Sequence, residues 1–493
     1  MSEHTTGQDT TRNDHPQVAR RQVAPPPPLL WIVIGLVLLA VLGGAAGIVV
    51  FRTALLPGQQ QRVIDQLPFM RAFMPPTPQG GVLPTALPQG ESAISPEELL
   101  DAPLALVTPT GAVTAVPTQA AVEIVPSATP TATLPATATP VPPTFTPFPT
   151  EIVPTQAGSA DTGAGSLLTV AAAVPARPSA ERLFGIRHVK QTWNNCGPAN
   201  LTMALSFYGW TQEQSVAAEY LKPNREDKNV NPGEMVSFVN ERTGVRAVTR
   251  IGGTTEMLRA FIAAGFPVVI ETGYMPEGYD WIGHYQTVVG YDDTLGVFYV
   301  YDSYLGTGEN GEGIAETYSD VDANWQHFNR TFIVLYAQER EDEVRAILGE
   351  LADLTTAAEH ALTVAQAEAR ANPQNAFAWF NMGTSYTRLG RYEEAAAAFD
   401  QARRVGTLPW RITWYQFGPF EAYFNAGRYD DVLALVNANL ANGAQFVEET
   451  YYWNGRVLAM QGNTAAAADA FRQALAHNPR YADARAALDR LNS

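Results

Sequence analysis

The chain has 493 residues, a formal net charge of −17, 36 prolines and a single cysteine. Its length suggests roughly two to four domains, and its acidity excludes the basic footprint that bulk nucleic-acid binding requires. One thiol excludes an intramolecular disulfide and a thiolate-rich zinc site. The seven histidines form no HExxH pattern, so no metal or cofactor is expected.

Residues 1–28 read as a short polar tail ending in a run of prolines. Residues 29–51, "LLWIVIGLVLLAVLGGAAGIVVF", hold 23 positions without a charge. As a helix they would span about 34 Å, enough to cross a hydrocarbon core of about 30 Å. We expect a single transmembrane helix here, since a cleaved signal peptide has a shorter apolar core. Residues 52–180 contain "PSATPTATLPATATPVPPTFTPFPT" and lack apolar periodicity. Such a stretch reads as a disordered stalk. A stalk of this kind suits the outside of a cell, so the expected topology puts the N-terminus in the cytoplasm and the later domains outside.

From residue 181 the composition changes. "CGPANLTMALSFYGW" predicts a helix with Leu201, Ala204, Leu205 and Tyr208 on one face and a stop at Gly209. "SVAAEYLK", "GEMVSFVNERTG" and "TEMLRAFIAAG" predict further helices. "PVVIET", "YQTVVGYD", "VFYVYDS" and "TFIVLYA" then predict strands. Helices followed by antiparallel strands make 181–338 an α+β domain.

Residues 339–493 are helical and rich in alanine. Gly383, Gly390, Ala395, Phe399 and Ala402 recur as Gly455, Gly462, Ala467, Phe471 and Ala474, each 72 residues on. Two periods of about 36 fit, with Gly427-Arg428-Tyr429 echoing Gly390-Arg391-Tyr392 in a degenerate middle unit. This pattern resembles the tetratricopeptide repeat, which implies stacked helix pairs that bind protein or peptide segments.

The lone cysteine lies in "QTWNNCGPAN" (191–200), at the predicted start of a helix. A thiol there faces the unpaired amides of the first turn, which favour a thiolate. The candidate base is His284 in "WIGHYQTVVGYDD". A hairpin turn near Asp293 or Thr294 sets an index sum of about 586–588, which places Asp302 on or beside the position opposite His284. An aspartate there would hold the imidazole's tautomer and orientation. Oxyanion donors are the Cys196 backbone N–H and the Gln191 amide, with Asn194 and Asn195 as alternatives. His188 is a weaker candidate base. Trp193, Trp281 and Tyr291 are candidates to line a cleft.

The cysteine block, the Gly-His…Gly-Tyr-Asp block and the following Tyr-Asp-Ser resemble the bacteriocin-processing (double-glycine) peptidases and their stand-alone relatives, a branch of the papain-like cysteine peptidases. By that resemblance Cys196 is the nucleophile, His284 the general base and acid, Asp302 the orienting residue and Gln191 the oxyanion donor. The family often has Asp-Pro where this chain has Asp302-Ser303, and no transporter domain follows. The expected function is a membrane-anchored, extracytoplasmic cysteine peptidase or amide hydrolase acting on a peptide or protein, with acyl transfer open to the same residues. Its repeats would recruit substrate or partner. The alternative is a non-catalytic binding or assembly protein that keeps the papain-like domain as a scaffold.

Overall fold

The computed structural model describes residues 28–55, 60, 63–64, 66–73, 83–84, 94–102, 177–275 and 280–492. The tail at 1–27 and most of the Pro/Thr-rich stretch, 103–176, lie outside the described residues.

Helix α1, Pro28–Thr53, contains the apolar segment and is long and apolar enough to cross a membrane. A second helix, α2, Pro96–Asp101, forms inside the segment read as stalk. Ser95 accepts from the Glu98 N–H, Glu98 accepts from the Ser95 N–H, and Pro96 opens the helix. This reciprocal cap lets six residues nucleate where the surrounding composition would not.

The α+β domain begins with β1, Ala180–Arg182, and continues through α3, Cys196–Ser206, α4, Gln214–Leu221, and α5, Pro232–Arg242. After β2, Arg246–Arg250, comes α6, Thr255–Ala263. Then follow β3, Val268–Tyr274, β4, Ile282–Asp292, β5, Val297–Asp302, and β6, Ile314–Thr317. Helix α7, Tyr318–Gln326, and β7, Phe332–Tyr336, complete it. The strands form one antiparallel sheet in the order β2-β7-β3-β4-β5-β6, with β1 pairing the far end of β4. Two apolar layers cover this sheet. Val268, Ile270, Val288, Val300 and Val334 pack with α6 and α7, while Val269, Tyr285, Ile333 and Leu335 pack with α3 to α5. Alternate residues of a strand serve opposite faces, which explains this partition.

After the sheet come α8, Glu341–Leu348, whose Val344 and Leu348 join the core of the sheet, then α9, Leu354–Ala371, α10, Ala376–Arg388, and α11, Tyr392–Val405. The chain continues through α12, Gly418–Asn425, α13, Tyr429–Ala441, α14, Glu448–Met460, α15, Thr464–His477, and α16, Ala482–Asn492. The repeated residues account for the pairing. Gly383 of α10 faces the Phe399 ring of α11, and Gly455 of α14 faces the Phe471 ring of α15. Between α11 and α12 the chain makes an irregular aromatic excursion, with Trp410, Trp414, Ala444 and Val447 forming a small separate core.

The α+β domain and the repeats are joined by specific polar contacts. The Asn381 amide donates to the Gln326 carbonyl, Asn329 donates to Ser385, and Gln416 donates to the His327 carbonyl. Arg330 bridges Asp322 of α7 and Glu368 of α9. The N-terminal segment is also bound to the repeats. Leu99 is 1% exposed, and its carbonyl accepts from Gln366 of α9 and Tyr386 of α10. The Leu83 N–H donates to the Leu408 carbonyl and Arg403 donates to the Pro84 carbonyl. Burying a leucine this completely contributes on the order of 1.5–3 kcal/mol, which helps to offset the ordering of a short segment.

Candidate active site

Cys196 is the first residue of α3 and is partly exposed. The preceding Asn194 has φ +55°, a conformation asparagine tolerates better than most residues. Its amide donates to the Glu226 carbonyl, and the indole of Trp193 donates to the Glu226 carboxylate. The segment before the cysteine is thus fastened to the loop after α4. At the helix start the first backbone N–H groups have no intrahelical acceptor, so they point a partial positive charge at the region of the thiol.

His284 lies near the start of β4 and is 3% exposed. Its Nε2 is 3.0 Å from Asp302 Oδ2, which leaves Nδ1 for the Cys196 thiol. Burial pushes the imidazole toward its neutral form. The Asp302 carboxylate outweighs burial, with help from hydrogen bonding to Cys196, and holds His284 protonated up to about 10. Asp302 ends β5 and is fully buried. Burial alone would raise its pKa. The His284 imidazolium and the backbone N–H groups of Leu305 and Tyr304 prevail and lower it to about 2. Gln286 donates to the same Asp302 oxygen, so both carboxylate oxygens are saturated.

The β4–β5 register pairs Gln286 with Asp302, an index sum of 588, at the upper edge of the expected range. Asp302 therefore meets His284 diagonally rather than directly across. A register shift between Val288 and Gly290 lowers the index sum from the 589 of Asp292 and Val297 near the turn to 588, and so puts Gln286 rather than Thr287 opposite Asp302.

Gln191 joins the site through Ser303. The Gln191 N–H donates to the Ser303 carbonyl, and the Ser303 hydroxyl donates to Gln191 Oε1 at 2.7 Å. The other two amides considered as oxyanion donors are engaged elsewhere: Asn194 with Glu226 and Asn195 with Thr192 Oγ1. His188 Nε2 is bonded to the Asp302 carbonyl rather than turned to the thiol. Trp281 and Tyr291 are buried packing residues. Trp281 stacks on Phe328 and touches Tyr415, while Tyr291 donates to the Pro178 carbonyl.

Three contributors escaped the sequence reading. Asn200 and Thr287 are fully buried and join α3 to β4, with Thr287 donating to Asn200 Oδ1 at 2.9 Å. Tyr415 comes from the repeat region and packs against Gly283, where any side chain would meet its ring at 3.0 Å. Burial raises the Tyr415 pKa, against the nearby Arg411 guanidinium, which lowers it. Its signal was the aromatic run "WRITWYQF" in the degenerate middle repeat, which fits neither helix of a repeat unit.

A cysteine at a helix start and a histidine–aspartate pair on an antiparallel hairpin thus belong to one α+β domain. Comparison with known proteins gives the family of that domain. Residues 184–333 match the Peptidase C39 like family, and residues 376–405 and 448–481 match the tetratricopeptide repeat. The chain thus carries a C39-like peptidase domain followed by tetratricopeptide repeats. A solved structure described as a putative C39-like peptidase from Bacillus anthracis is 16% identical, with TM-score 0.26. That match covers 32% of this chain and 96% of that one. No curated protein matches the sequence.

Proposed function

We propose that the protein is a membrane-anchored, extracytoplasmic cysteine peptidase or amide hydrolase. Cys196 attacks the carbonyl carbon of a peptide or amide while the imidazole of His284 manages the proton. The resulting oxyanion is stabilised by the Gln191 amide and the Cys196 backbone N–H. His284 then protonates the leaving amine, an acyl-thioester forms on Cys196, and water, deprotonated by His284, hydrolyses it. Asp302 holds the imidazole through Nε2 and stabilises its charged form. Helix α1 supplies the anchor and the tetratricopeptide repeats recruit a protein substrate or partner.

The observation that carries this reading is the buried His284–Asp302 pair at 3.0 Å, with the second imidazole nitrogen left for the Cys196 thiol. Because Cys196 is the only cysteine, any thiol-directed reagent reports on this site alone. Alkylation of the full-length protein by iodoacetamide should be rapid well below pH 8 and should slow sharply in His284→Ala. An ordinary free-thiol profile, the same in both proteins, would refute an activated nucleophile.

A further inference from the structure

The hydrogen bonds behind Gln191 run in one direction. The side-chain nitrogen of Asn200 lies 2.7 Å from the Tyr285 carbonyl and 3.0 Å from the Cys196 carbonyl. Carbonyl oxygens only accept, so this end of the amide must be the nitrogen. Its oxygen correspondingly accepts from the Thr287 hydroxyl. The same Asn200 nitrogen lies 3.0 Å from Ser303 Oγ. That nitrogen has two hydrogens for three neighbours and cannot accept, so the Ser303 proton finds no acceptor there and goes to Gln191 Oε1. Thr287, Asn200 and Ser303 are each fully buried, so none can exchange this pattern for water.

We propose that Thr287, Asn200 and Ser303 form a one-way relay that fixes which end of the Gln191 amide faces the reaction. With Oε1 held by Ser303, Nε2 is the group left to donate. A flipped amide would present its own oxygen to the developing oxyanion and would leave the buried Ser303 proton without its acceptor. Donors help catalysis only when aimed beforehand at the charge that forms in the transition state. The three residues are positioning residues: they act on the oxyanion only through Gln191. This assignment rests on the proposed catalytic role of Cys196, His284 and Gln191.

Ser303 can be tested without dismantling the site, because Gln191 also holds the Ser303 carbonyl through its backbone N–H. Ser303→Ala removes the hydroxyl and keeps that bond. Two probes separate the effects on full-length protein. Iodoacetamide is displaced by the thiolate at a saturated carbon: the S–C bond forms, iodide leaves and no oxyanion arises. With p-nitrophenyl acetate the thiolate adds to the ester carbonyl, a tetrahedral oxyanion forms, p-nitrophenolate leaves and an acetyl thioester remains. In Ser303→Ala, alkylation should stay within about two-fold while the p-nitrophenolate burst slows on the order of ten-fold or more. Gln191→Glu, similar in shape but unable to donate as a carboxylate, should slow the burst at least as much.

Equal burst rates in wild type and Ser303→Ala would overturn the relay. So would a parallel loss of alkylation and acylation, which marks general damage to the site. A wild-type protein whose alkylation is insensitive to His284→Ala would instead overturn the catalytic reading on which the relay depends.

Discussion

His284 and Asp302 meet diagonally across the β4–β5 hairpin, 3.0 Å apart, while the residue directly opposite Asp302 is Gln286. The diagonal has a use. Gln286 donates to the same carboxylate oxygen and also to Glu316, so it braces Asp302 from the strand position beside the histidine. A directly opposed pair would put the histidine in that bracing position.

This pairing dictates a pH signature. His284 is raised from 6.5 to about 10, so its contribution to stability is complete below pH 6.5 and is lost as pH rises through 10. Asp302 is lowered from 3.8 to about 2, so its contribution is present above pH 3.8 and is lost as pH falls through 2. The stability gap between wild type and Asp302→Asn should therefore be widest between about pH 4 and 6.5 in urea unfolding. In NMR titration the wild-type imidazole should lose its proton near pH 10, and the variant's should do so at lower pH, since the Asp302 carboxylate that outweighs burial is gone. A gap that grows above pH 10 would contradict the pairing.

Arg330 joins the two folded regions by its bonds to Asp322 and Glu368. Arg330→Ala leaves Glu368 in place beside α7 without its cation. We expect a loss of about 2 kcal/mol, below the value for a fully buried pair because both acids are partly exposed. The diagnostic result in calorimetry is separation of one unfolding transition into two, with the repeats and the peptidase domain melting apart.

The repeat glycines should be intolerant of a single methyl group. A Cβ at Gly383 would approach the Phe399 ring at 2.7 Å, and one at Gly455 would approach Phe471 at 2.6 Å. Each Gly→Ala change, although favourable for helix propensity, should destabilise by about 1–3 kcal/mol through overpacking. Denaturant titration followed by tryptophan fluorescence would show the shift, and stabilisation by either alanine would refute the packing account.

Leu99→Ala should release the N-terminal segment from the repeats. Its side chain is almost fully buried, and about 2–4 kcal/mol of packing would be lost from an element only six residues long. Hydrogen exchange should then show residues 95–102 unprotected. Alkylation of Cys196 should be unchanged, because the hydrogen bonds of this segment among the described residues run to the repeats.

The α+β class, the repeat periodicity and the placing of His284 beside Asp302 were legible because each depends on local pattern or hairpin arithmetic, whereas the expected order of helices before strands is broken by β1, β2 and α7. Helix α3 stops at Ser206, three residues before the expected end, and Gly209 with its positive φ closes the turn that follows. What stayed hidden depended on distant partners. Asn200 is an unremarkable polar residue in a helix until β4 supplies Tyr285 and Thr287. Tyr415 gains meaning only when the repeats fold against Gly283. Helix α2 was missed for a different reason: averaging over the Pro/Thr-rich stretch concealed "SPEELLD", although its Ser95–Glu98 cap is visible in the sequence itself.

The docking of Leu83 and Leu99 on the repeats changes what the Pro/Thr-rich stretch is able to do. With an anchor at 29–51, the chain reaches the folded body by Leu83, about 30 residues beyond α1 and within about 100 Å of it when fully extended. The stretch from 103 to 176 leaves the body at Ala102 and returns at Arg177. Its length therefore adds nothing to the run of chain between α1 and Leu83. A cut in it would leave the two pieces clasped through α2. Only a cut between α1 and residue 83 would part α1 from the folded body.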